Sequence, residues 1–119
     1  MIYNAFDVVI VPFPFTDSAQ TKRRPALILS STKNFNNPTG HCLMAMITSA
    51  DNSPWVLDVE IVDLKKSGLP SPSVIRMKFF TLDQRLIIQK IGSLSKQDKI
   101  SLTGSLDKLF HEIYSFSTK

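Results

Sequence analysis

Apolar and polar positions alternate along most of this chain with the two-residue period of half-buried strands, and only the last quarter shifts to a helical period. The run Asp7-Val8-Val9-Ile10-Val11-Pro12-Phe13 is rich in β-branched residues and predicts a buried first strand, with Pro12 and Pro14 pushing its end toward a sheet edge. Residues 15–21 are small and polar and read as a loop. A second strand is predicted over residues 24–31. Its alternation places Arg24, Ala26, Ile28 and Ser30 on one face and Arg23, Pro25, Leu27 and Leu29 on the other, so the two arginines diverge. Only one of them is expected to face a shared site.

Residues 32–40 carry Asn34, Asn36, Asn37, Pro38 and Gly40 and read as a connector, after which residues 41–48 form an apolar third strand. Residues 51–54 predict a turn, and residues 55–62 alternate well enough for a fourth strand. Residues 64–72 allow at most a short helical turn before Gly68, Pro70 and Pro72 stop it. Residues 73–80 and 85–91 are two further β-rich runs, with 81–84 between them as a hairpin. Ser95 is an N-cap candidate with Asp98 three residues on, and one helix is expected from Lys96 to about residue 115. Leu102, Leu106, Leu109, Phe110 and Ile113 form its single apolar stripe, expected to lie on the sheet. Six short strands and a terminal helix predict a small, curved, mostly antiparallel β-barrel capped by that helix, with all 119 residues in one domain.

Composition changes this picture little. With 43% hydrophobic and 20% charged residues the chain has the make-up of an ordinary globular protein. A net charge of +4 makes an acidic partner plausible without identifying it. The single cysteine, Cys42, excludes an intramolecular disulfide and a Cys-rich metal site, which fits a reducing cytoplasm. No secretory leader and no membrane helix are expected, since the apolar runs fall short of the roughly 20 residues a span needs.

Candidate chemistry concentrates at Lys22-Arg23-Arg24-Pro25, where a basic doublet meets the start of an apolar strand. Guanidinium donors fork onto phosphate oxygens, so a polyanion is the first candidate ligand. A solvated strand entry is the equally weighted plain reading. The chain contains no glycine-rich phosphate loop, HExxH, CxxC or GxSxG motif. His41 and His111 are its only histidines, and a two-histidine ribonuclease mechanism requires both to converge from distant segments. Asp58, Glu60 and Asp63 have the spacing of a solvent-facing strand edge rather than of metal ligands. The residues alone therefore lead to a small basic β domain with an arginine and a strand-end hydroxyl.

The ordered succession Asp7-Val-Val-Ile-Val-Pro-Phe-Pro-Phe-Thr-Asp17, Lys22-Arg-Arg-Pro-Ala-Leu-Ile-Leu-Ser30, Met46-Ile-Thr-Ser49, Gly68-Leu-Pro-Ser-Pro-Ser-Val-Ile-Arg76, Phe80-Thr-Leu-Asp83 and Ile91-Gly-Ser-Leu94 resembles the MazF/PemK family of type II toxin-antitoxin endoribonuclease toxins. The resemblance implies an SH3-like barrel of the plasmid-toxin (CcdB/PemK) kind with a C-terminal helix. It also implies a homodimer and a cognate antitoxin partner. The implied activity is cleavage of single-stranded RNA without a metal ion or other cofactor, by attack of the ribose 2′-hydroxyl to leave a 2′,3′-cyclic phosphate and a 5′-hydroxyl.

Carried over by motif, the catalytic pair is Arg24 and Thr48, and the RNA contacts are Phe15, Thr16, Asp17, Lys22, Arg23 and Ser49. Two positions depart from the family pattern: a glycine commonly precedes the first-strand aspartate and here the residue is Phe6, and Ser49 follows Thr48 where several members have a polar amide or another residue, so the target sequence does not carry over. Two other readings belong to different classes: a gyrase-poisoning toxin of the CcdB type acting through its terminal helix, and an inert barrel that only binds RNA or an antitoxin.

Overall fold

The computed structural model describes residues 2–13 and 22–116. Six strands, β1 (Asp7–Phe13), β2 (Lys22–Ile28), β3 (His41–Ser49), β4 (Val59–Glu60), β5 (Ser73–Asp83) and β6 (Gln89–Ser93), form one sheet in the order β4-β5-β3-β2-β1-β6. Every pairing is antiparallel. The helical segments are α1 (Asn37–Thr39), α2 (Leu64–Ser67), α3 (Lys96–Leu109) and α4 (His111–Phe116). The result is a six-stranded, curled half-barrel with C-terminal helices, the mainly β class with a small β-barrel architecture that the pattern predicts.

Alternation divides the apolar positions between two clusters. Val8, Leu27, Ala45, Ile47 and Ile75 pack with Leu94 and Leu102 on one face, while Val9, Val11, Ala26, Ile28, Met44 and Leu82 pack with Tyr3 on the other. The curl is stapled where α2 crosses β6. A Cβ on Gly92 would stand 2.4 Å from the Lys66 carbonyl oxygen, and one on Gly68 (φ 76°) would stand 2.0 Å from the Ile91 oxygen. These backbones touch only because both residues lack a side chain. Phe6 also has left-handed backbone (φ 76°), which accounts for the glycine common in the resembled family at this position. Its strain is held by hydrogen bonds from Phe6 N to Ile28 O and from Leu94 N to Phe6 O.

Several expectations are corrected. The second strand spans Lys22–Ile28 rather than residues 24–31, because Ser30 and Ser31 turn into the connector: Ser30 hydrogen-bonds buried Asn36, and Ser31 caps the turn at Thr32–Asn36. The fourth strand is only Val59–Glu60, since the Trp55–Asp58 segment is a turn with Trp55 N donating to Asp58 Oδ2 and Leu57 at φ 71°. No hairpin joins the fifth and sixth strands. β5 continues to Asp83 beside β3, a 3-10 turn at Gln84–Leu86 redirects the chain, and β6 pairs with β1 on the opposite edge.

The terminal helix breaks at Phe110 into α3 and α4. Leu102 is fully buried, Leu106 packs on the core and the Phe110 ring lies 6.3 Å from that of Phe79 on β5, but Leu109 and Ile113 are 40% and 68% exposed, so the predicted stripe meets the sheet only in part. Ser95 does cap α3 through Asp98 N. The Asp98 carboxylate reaches past the cap to accept from Val62 N (3.0 Å) and Asp63 N (3.1 Å), tying the helix to the β4 end.

Candidate nucleic-acid interface

The register of β2 against β3 runs from Ile28 opposite Met44 to Ala26 opposite Met46. The pairing stops there, and Arg24 and Thr48 lie two residues beyond its last pair, on β2 and β3 respectively. Both line a cleft of about 590 Å³ whose apolar wall includes Ile10, Phe13, Pro25 and Ile47. Ser49, next to Thr48, also lines it. The β3-β5 register shifts between Ala45↔Phe79 and Ile47↔Ile75, so one β3 residue faces three on β5, Arg76 to Lys78. Such a bulge bends the strand that carries the extra residues, here β5.

The electrostatics are one-sided. Arg24 is exposed, and among the described residues no carboxylate pairs with it. Lys78 on β5 lines the same cleft, is exposed and likewise has no ion-pair partner among the described residues. Two unneutralised cations beside a threonine, a serine and an apolar floor suit a phosphodiester attached to a base or sugar. Lys78 is not singled out by the sequence reading, where it is one of two cations, with Arg76, amid the otherwise apolar run of residues 74–80.

Asn52 is the second residue beyond that reading. It is taken for a turn residue, yet its Nδ2 donates to Thr48 Oγ1 at 2.5 Å and it borders the cleft. Its loop is clamped from behind by Arg76. The guanidinium binds Asp58 twice, Nε to Oδ1 at 3.1 Å and Nη2 to Oδ2 at 2.9 Å, and Nη2 also donates to Ser53 O at 2.8 Å. Trp55 lies over the guanidinium, 5.0 Å from its ring centroid. The hydrogen bond from Arg76 holds the Asp58 carboxyl below the usual carboxylate range, against the opposing push of burial. Asp58 is thus a partner of the loop clamp, which corrects its reading as a solvent-facing acid. Asp63 is instead the N-cap of α2, accepting from Lys66 N.

Of the other sequence candidates, Lys22 and Arg23 are exposed at the start of β2, opposite Phe13 and Pro12, and do not line the cleft. Phe15, Thr16 and Asp17 lie outside the described residues. The two histidines do not converge here: His41 contacts Thr39 O through Nδ1 at the far end of β3, and His111 lies in α4. Among the described residues, no three His, Cys, Asp or Glu side chains gather as metal ligands. No helix among them is long and apolar enough to cross a membrane.

Residues 4–110 match the family described as PemK-like, MazF-like toxin of type II toxin-antitoxin system. No curated protein matches the chain. Its fold is similar to a chain of the MazE-MazF crystal structure from Deinococcus radiodurans, at 24% identity over 93% of this chain and 98% of that one with a TM-score of 0.74. It is similar also to the Mycobacterium tuberculosis toxin MazF-mt6, at 23% identity over 88% and 96% of the two chains with a TM-score of 0.67. A mycobacterial endoribonuclease in complex with its cognate antitoxin aligns at 13% identity over 90% and 91%, with a TM-score of 0.68.

Proposed function

This chain belongs to the family of PemK-like, MazF-like toxins of type II toxin-antitoxin systems, and we propose that it is an endoribonuclease that cuts single-stranded RNA in the cleft holding Arg24 and Thr48. The observation that carries the reading is that an arginine with no carboxylate partner among the described residues and a threonine hydroxyl line one cleft. In the reaction the ribose 2′-oxygen attacks the adjacent phosphorus and loses its proton. The bond from phosphorus to the 5′-oxygen breaks, and that oxygen gains a proton. The products are a 2′,3′-cyclic phosphate and a 5′-hydroxyl.

Negative charge builds on the non-bridging oxygens as the 2′-oxygen approaches. A guanidinium fixed at a strand end stabilises that charge without reorganising, and its proton affinity suits it to electrostatic stabilisation better than to proton transfer. Thr48 Oγ1 donates to a second oxygen. Lys78 and Ser49 hold flanking backbone, and the apolar wall gives a base a surface to rest on. Lys22 and Arg23, outside the cleft, serve the strand as it leaves it. A cognate antitoxin is the proposed protein partner, a homodimer the proposed assembly and the cytoplasm the proposed compartment.

The deciding experiment incubates purified wild-type protein and Arg24→Ala with a long mixed-sequence RNA in EDTA and maps the 5′ ends. Discrete cuts by the wild type that vanish in Arg24→Ala are expected, and they report the recognition sequence at the same time. A folded wild type that leaves RNA intact overturns the reading and shifts attention to a protein-directed poison acting through the exposed Ile113, Tyr114 and Phe116 of α4.

A further inference from the structure

We infer that Asn52 is a positioning residue that fixes the Thr48 hydroxyl as a hydrogen-bond donor toward the scissile phosphate, an inference that rests on the endoribonuclease reading. A threonine hydroxyl has one proton and two lone pairs, whereas an amide nitrogen only donates. Asn52 Nδ2 occupies one Thr48 lone pair at 2.5 Å. The Thr48 proton is thereby turned away from Asn52 and toward the cleft that both residues line. A hydroxyl left to rotate would spend part of its time accepting from water or from the 2′-hydroxyl, and its donor role in the transition state would be diluted.

The structure supports Asn52 at the points where such a role needs rigidity. Its own N donates to Ser49 O at 3.1 Å, and the preceding Ala50 N donates to Pro72 O at 3.1 Å. The following residue, Ser53, is held through its carbonyl by buried Arg76. An asparagine serving only the turn would bond its own loop backbone. Here the amide leaves the loop and reaches back to the end of β3.

The test compares Asn52→Ala, Asn52→Asp and Thr48→Ala, and both Asn52 changes in the Thr48→Ala background, in single-turnover cleavage of an RNA carrying the mapped site. Binding is read separately with the same RNA made 2′-deoxy at the cut. Asn52→Asp replaces a donor by an acceptor of the same shape that captures the Thr48 proton. It is expected to lower the cleavage rate about 10-fold to 100-fold, and Asn52→Ala about 3-fold to 10-fold. Affinity of Asn52→Ala for the 2′-deoxy RNA should stay within about 2-fold of wild type. In the Thr48→Ala background neither change should cost anything further, since two residues acting as one unit are not additive.

Asn52→Asp cutting at the wild-type rate overturns the inference. So does an Asn52 loss that persists in full without the Thr48 hydroxyl, which would mark repulsion of RNA or a disturbed loop. Thr48→Ala cutting at the wild-type rate removes the group being positioned and overturns it as well. A wild type that fails to cut removes the underlying reading, and is distinguishable from these because the other three outcomes need an active parent.

Discussion

Arg24 and Arg76 are both strand arginines in a sheet of modest size, and the tertiary structure gives them opposite fates. Arg76, 9% exposed, spends its donors on Asp58 and the Ser53 carbonyl and stacks on Trp55. Arg24 is exposed in the cleft that Thr48 also lines, and no carboxylate among the described residues neutralises it. A guanidinium whose charge is already satisfied can organise a loop but has little left for a ligand. One whose charge is unsatisfied raises the local concentration of anions and stabilises charge that appears during a reaction. On the proposed reading, this protein separates a scaffold cation from a working cation, with the Asn52-Thr48 hydrogen bond lying between the two regions.

The separation can be broken at either end. Arg24→Ala has the largest expected effect, a loss of roughly 10²-fold or more in RNA cleavage rate with the melting temperature unchanged, checked by single-turnover kinetics and thermal unfolding of the same preparation. Arg76→Ala should show the reverse balance. It leaves Asp58 unpaired and frees the loop, so a melting temperature lower by roughly 5 °C or more is expected, with cleavage falling only as far as Asn52 loses its place. Equal melting temperatures for the two variants would break the comparison.

Lys78→Ala tests whether the cleft contains a second working cation. RNA affinity should fall a few-fold across sequences and the slope of log K against log salt should flatten by about 1, as expected for one lost phosphate contact. An unchanged slope would place Lys78 outside the interface.

The smallest expected effect is on acid stability. The hydrogen bond from Arg76 lowers the Asp58 pKa in the folded state, so the unfolded chain takes up this proton more readily than the folded one. The contribution is therefore complete above the ordinary carboxylate pKa of about 4 and is lost as pH falls through the lower folded value. Asp83, held at about 2 chiefly by its hydrogen bond from Arg85, acts in the same direction, but Arg85 is 86% exposed and solvent screens the pair. Melting temperature should thus decline between about pH 5 and pH 2, less steeply in Asp58→Asn and as steeply as wild type in Arg24→Ala. A flattened decline in Arg24→Ala would contradict the division of labour.

Much of the fold is legible because it is local. The β-branched run at Asp7–Phe13, the stop of α2 at Gly68 and the Ser95 cap each depend on a few adjacent residues and fall where the pattern places them. The candidate site was half legible. Arg24 and Thr48 follow from the resemblance, and period-two alternation separates Arg24 from Arg23. The Asp58-Arg76 clamp escapes notice because its partners are 18 residues apart, Lys78 because only the closed sheet puts it in the cleft with Arg24, and Asn52 because turn composition does not say where its amide points. The same holds for the exit of β5 toward β3 and the return of β6 to β1.

By itself, then, the sequence determined the class of the fold, the positions of most strands, the helix cap and, through an ordered set of motifs, the family. Which strands became neighbours and which residues of the terminal apolar stripe met the sheet were decided only in three dimensions. So was which arginine kept a free charge. The physical reason is range: propensity, capping and alternation act over a few residues, whereas hydrogen-bond pairing, burial and charge neutralisation depend on which distant groups the closed chain brings together.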